Sequence, residues 1–166
     1  VQTFYPTPKI DMRNEDVLRS IRYMMKITDE EMTNILKLAE VVIPVGRMEQ
    51  ILKKEDFDGK RDDAASDELT ASFLDGLIIK LRGKDDKHPP QPFKAPLTNN
   101  TILKKLRVAF SLRDDDMHSS MEAGGFPITK PEMSAFFRKE GQKNYRECKD
   151  QVLRYFLKGL TMRIRK

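Results

Sequence analysis

His118, Ser119 and Ser120 stand side by side, a basic ring next to two hydroxyls, the raw material for nucleophilic chemistry. On a helix, neighbours in sequence point away from one another, so these three cannot pair as base and nucleophile within one element. Asp114, Asp115 and Asp116 have the composition of a cation site, but they fall where a helix should begin. Carboxylates there offset the positive end of the helix dipole. Asp29, Glu30 and Glu31 occupy the same place 85 residues earlier, which favours that role for both trios. GKRDD at 59–63 lacks the Gly-x-x-x-x that precedes Gly-Lys in a phosphate-binding loop, and no strand leads into it. Cys148 is the single cysteine, and with His88 and His118 it makes neither a disulfide nor a zinc set. The expectation is therefore no catalytic residue, no metal, no cofactor and no enzymatic activity.

Charge offers a different chemistry. The formal net charge is +5, yet residues 14–84 carry a net −3 and residues 99–166 a net +7. A basic half suits phosphates as counter-charge. Within it the segment 112–139 reads as two helices around a glycine-containing turn. This helix-turn-helix-like layout would present Lys130, Ser134, Arg138 and Lys139 outward. Lys143, Arg146, Arg154 and Lys158 extend the basic face, with Tyr145 and Tyr155 as stacking candidates. The predicted nucleic-acid contacts are thus Lys130, Arg138, Lys139, Lys143, Arg146, Arg154 and Lys158. In the first half the positions matching Lys130, Ser134, Arg138 and Lys139 hold Val45, Glu49, Lys53 and Lys54, so any such contact is one-sided. The alternative is a protein–protein adaptor or scaffold whose acidic and basic halves meet different partners.

The elements that must position these residues are written twice. Asn14–Glu55 matches Asn99–Glu140 at nine of 42 positions, and Asp67–Arg82 matches Asp150–Arg165 at six of 16, including FLDGL against FLKGL. Each copy reads as four helices. Val17, Leu18, Ile21, Met24 and Met25 recur at helical spacing, as do Ile102, Leu103, Leu106 and Phe110. Thr28 with Glu31, and Thr129 with Glu132, have capping-box spacing, and Asp114 is expected to cap the helix matching the one after Thr28. Gly124-Gly125 should close that helix. The fourth helices carry Gly76 and Gly159 mid-run beside Phe73 and Phe156. Gly costs about 1 kcal/mol against Ala in a helix interior, so its repetition predicts close backbone approach, assigned here to the two fourth helices packing on each other. That packing joins the copies within a chain or across a homo-oligomer interface.

The predicted fold is all-α: two tandem pseudo-symmetric four-helix units, each with a helix-turn-helix-like pair. Helical repeat 1 spans 14–84, a Pro-rich linker 85–98, and the basic repeat 2 spans 99–166. The spacing of Pro89 and Pro92 suits proline-rich recognition, but a semi-rigid spacer is the simpler reading. Residues 1–13 read as an extension or leader, with Met12 a natural start. No apolar run approaches the ~20 residues that span a bilayer. A cytoplasmic location without membrane contact is expected.

LRSIRY and LKKLRV in the two first helices, and FFRKEGQKNYRECKDQVLRYFLKGL at 136–160, resemble the YehS-like family of bacterial proteins. The resemblance runs from Met12 to the C-terminus. It implies a short, duplicated helical domain in the cytoplasm, and no catalytic residues to carry over.

Overall fold

The computed structural model describes residues 12–53, 65–89 and 91–165. Residues 1–11 of the expected leader, the GKRDD loop and Lys54 lie outside them. The described residues form eight α-helices and no strand: α1 (Asn14–Met25), α2 (Asp29–Leu38), α3 (Arg47–Leu52), α4 (Asp67–Arg82), α5 (Asn99–Ala109), α6 (Asp114–Gly124), α7 (Lys130–Ala135) and α8 (Asp150–Ile164). Helices α1–α4 make the first repeat and α5–α8 the second.

The apolar stripes become the core. Val17, Leu18 and Ile21 of α1 and Ile102, Leu103 and Leu106 of α5 are fully buried, with Phe73 and Phe156 beneath them. Burying a side chain of that size contributes about 2 kcal/mol. Both predicted capping boxes form: Thr28 Oγ1 accepts from the Glu31 amide at 3.1 Å, and Thr129 Oγ1 from the Glu132 amide at 3.2 Å. Asp114 does not cap α6. Arg113 holds the cap position and its amide donates to the Asp116 carboxylate at 2.8 Å, while Asp114, one residue further on, pairs with Arg107 at 2.7 Å. Arg22 and Asp29 make the same pair in repeat 1, which explains why both residue types recur.

The repeats dock crosswise. Helix α4 lies on α5 and α1 lies on α8, so each repeat's fourth helix covers the other's first. Asp67 is shared across the junction: one carboxylate oxygen takes the Asn14 amide at 2.9 Å, the other the backbone N–H of Leu97 at 3.0 Å. Asp150 does the same with Asn99 at 2.7 Å and the N–H of Met12 at 3.1 Å. Met12 therefore belongs to the fold, although it falls in the expected extension. Arg165 closes the arrangement, stacking 4.0 Å over the Tyr23 ring and donating to the Tyr23 carbonyl at 2.7 Å, and its counterpart Arg82 reaches Ser111.

The glycines do a different job from the one predicted. Backbones do approach closely at both, but each meets the second helix of its own repeat, not the other fourth helix. A Cβ on Gly76 would sit 2.1 Å from the Ile35 carbonyl oxygen of α2, and one on Gly159 would sit 1.6 Å from the Ser120 carbonyl oxygen of α6. The helix-on-helix contact that needs no Cβ is thus internal to each repeat. Docking between repeats rests on the aspartate clamps and the α4–α5 and α1–α8 faces.

Candidate nucleic-acid interface

The predicted second helix of the helix-turn-helix-like pair is short. α7 has six residues, Lys130–Ala135, about 9 Å of helix at 1.5 Å per residue. Arg138 and Lys139 lie beyond its end, in the loop that leads to α8, so no single helix presents the expected row of cations.

Several of those cations are held by the protein. Lys130 Nζ meets Asp115 Oδ1 at 2.7 Å; the shared hydrogen bond raises the Lys130 pKa and lowers that of Asp115. Arg146 is 3.2 Å from Glu132 and lies over the Phe136 ring at 5.1 Å. The Glu132 carboxyl is held below its usual range first by its hydrogen bonds to Thr129 and then by Arg146. Arg138 donates to the Asn144 carbonyl at 3.0 Å. Tyr155 packs against Phe126 with ring centroids 5.7 Å apart, which draws it towards the interior and away from a stacking role.

Lys139, Lys143, Arg154 and Lys158 are different. All four are exposed and none has a side-chain partner among the described residues. Lys139 and Lys143 ride on the loop after α7. Arg154 and Lys158, four apart on α8, instead face α1 across a cleft of about 310 Å³ between the repeats. The cleft also takes Asp16, Arg19 and Ser20 from α1 and Thr161 from α8, residues that sequence reading passed over. A signal existed, since the two copies differ sharply at Ser20/Lys105 and Lys158/Asp75, but it becomes legible only when helix docking is known.

Of the other chemical candidates, His118 and Ser119 are engaged in structure, while the Ser120 hydroxyl is buried without a hydrogen-bond partner among the described residues. His118 Nε2 is 2.6 Å from the Ile128 carbonyl, and Ser119 donates to the Asp116 carbonyl at 3.1 Å. Cys148 is buried, and burial pushes its thiol up to about 12. No group of three or more His, Cys, Asp or Glu among the described residues is placed to hold a metal ion. No helix among them is long and apolar enough to cross a membrane.

Two crosswise-docked copies of one four-helix unit define a duplicated helical protein, and the chain belongs to the family described as "Protein of unknown function (DUF1456)", which matches residues 14–83 and again 99–166. It is 41% identical over 152 residues to the "Uncharacterized protein YehS" of Escherichia coli (strain K12), a match that covers 92% of this chain and 96% of that protein. No solved structure matches.

Proposed function

We propose that the protein is a non-enzymatic binding module, working in the cytoplasm, whose second repeat engages a polyanion, with nucleic acid as the ligand class. The observation that carries this reading is the uneven pairing of charge. Asp114, Asp115, Asp116, Glu132 and Glu147 each hold a Lys or Arg, while Lys139, Lys143, Arg154 and Lys158 stand exposed with no carboxylate partner among the described residues. Spare cations of this kind gain from a phosphate backbone by releasing its counterions. A buried, protonated Cys148 and a His118 ring held against a backbone carbonyl support the non-enzymatic part.

The test is fluorescence anisotropy of labelled duplex DNA, single-stranded DNA and RNA at several salt concentrations. Binding should weaken linearly in log–log with salt, by a slope of about 0.9 per duplex phosphate neutralised. Changing Arg138, Lys139, Arg154 and Lys158 together to Glu should abolish it. Absence of binding at low salt overturns the reading.

A second reading, an adaptor, rests on Leu38, Val42 and Val45 in and after α2, which are 44%, 77% and 104% exposed. Apolar side chains exposed in one neighbourhood mark partner contacts. Capture of a protein partner that survives nuclease treatment and is lost in Val42→Asp/Val45→Asp favours it.

A further inference from the structure

We propose that the cleft between α1 and α8 is a seat for a phosphate group. The two interfaces between the repeats are counterparts, so each residue of one can be read against the other. At the α4–α5 face, Lys105 Nζ meets the Asp75 carboxylate in a pair whose side chains are only 25% and 17% exposed. Their counterparts at the α1–α8 face are Ser20 and Lys158. The lysine is replaced by a small hydroxyl and the carboxylate by a cation. Arg154 brings a second positive charge where α4 has Ala71. In place of an ion pair there is an open cleft of about 310 Å³.

The charges in that cleft are not balanced from within. Among the described residues its one lining carboxylate, Asp16, is already held by Arg19 at 2.8 Å, and Arg19 also donates to the Leu52 carbonyl at 3.2 Å. Arg154 and Lys158 are left to set the sign of the site. Thr161 donates its hydroxyl proton to the Leu157 carbonyl at 2.7 Å, which fixes its oxygen on the wall of the cleft, and Ser20 brings a hydroxyl donor from the other side. A guanidinium offers two parallel N–H groups, an ammonium a point charge, and a hydroxyl one further donor. Together they suit a tetrahedral dianion with several acceptor oxygens better than a planar carboxylate with two. A cleft near 300 Å³ also has room for the group that bears the phosphate. That group is either a small phosphorylated molecule or a nucleotide of a chain. The seat shares Arg154 and Lys158 with the nucleic-acid reading but does not depend on it.

The test is an amide NMR titration of the whole chain with inorganic phosphate, with chloride at matched ionic strength as reference. Saturable shifts at Ser20, Arg154, Lys158 and Thr161, with a Kd on the order of millimolar, are expected. Ser20→Lys/Lys158→Asp rebuilds the pair of the other interface, and should bind phosphate at least about tenfold more weakly while melting no lower than the parent. Arg154→Ala, which installs the repeat 1 residue, should also weaken binding about tenfold, and it decides the matter if the double variant fails to fold. Shifts that match chloride without saturating overturn the proposal, as does parental affinity in folded Arg154→Ala. A short oligonucleotide that competes with phosphate assigns the seat to backbone phosphates. Simultaneous binding assigns it to a small phosphorylated molecule.

Discussion

The two repeats share their clamps and differ in what surrounds them. Asn14 with Asp67 and Asn99 with Asp150 tie helix to helix in the same way, and each aspartate also accepts a backbone N–H from the segment leading into the other repeat's first helix, Leu97 before α5 and Met12 before α1. The second helices then diverge. In repeat 2, Gly124 of α6 and Gly159 of α8 face each other, and a Cβ on either would fall within 3.2 Å of the other's backbone nitrogen. In repeat 1 the matching residues are Ala39 and Gly76, so only one side of the crossing lacks a side chain. Identity between the copies marks the joints, and difference marks either closer packing or an altered surface.

The sharpest break in that comparison is a side chain at the closer crossing. Gly159→Leu should prevent α6 from seating on α8 and lose most of the folded state; Gly76→Ala should cost less, about 2–3 kcal/mol of overpacking. Thermal melts that rank the two the other way round would refute the difference in packing. Next come the clamps. Asp67→Ala and Asp150→Ala each remove a carboxylate that accepts from an amide side chain and from a backbone N–H, so each should cost about 2–3 kcal/mol. Similar losses in urea unfolding would confirm that the joints are equivalent, whereas a loss confined to one of them would show that the crosswise docking is lopsided.

A smaller effect separates Cys148 from its counterpart Ala65. The folded thiol is pushed up to about 12 by burial, against an ordinary value of 9.0, so the protonated form favours the folded state. That stability is fully present below pH ~9 and is lost as pH rises towards ~12, up to roughly 2 kcal/mol near pH 10.5. Cys148→Ala should remove the extra alkaline loss in urea titrations. The smallest effect sits after α2, where Glu40 adopts φ +63° in the place that repeat 2 gives to Gly125 at φ +105°. Glu40→Gly should stabilise by about 0.5–1 kcal/mol, since a left-handed residue with a Cβ is strained. A lower melting temperature would show that the Glu40 side chain has a role of its own.

Much of this architecture was legible in the sequence because helix periodicity, capping and duplication are local signals. The stripe of Val17, Leu18 and Ile21 and the box of Thr28 and Glu31 needed no knowledge of distant residues. The glycines showed the limit of that reading. Their repetition pointed correctly to close backbone approach, but which backbone approaches depends on the direction a helix faces in three dimensions, and the partners proved to be α2 and α6. The basic residues failed in a different way. A cation in the sequence does not announce whether a carboxylate lies within reach, so Lys130 and Arg146 read the same as Lys143 and Lys158. The α1–α8 cleft was hidden for the related reason that its residues come from opposite ends of the chain.

The crosswise docking has a consequence for how such a surface can arise at all. In an assembly of two identical chains, a substitution appears at both faces of the symmetry axis at once, so a pair such as Lys105 with Asp75 must be present twice or not at all. Covalent fusion removes that obligation. One face can keep the bridge and secure the fold, leaving Ser20, Arg154 and Lys158 at the other to change independently. A duplicated chain thus carries a spare interface, and symmetry broken in sequence becomes a single asymmetric opening in space.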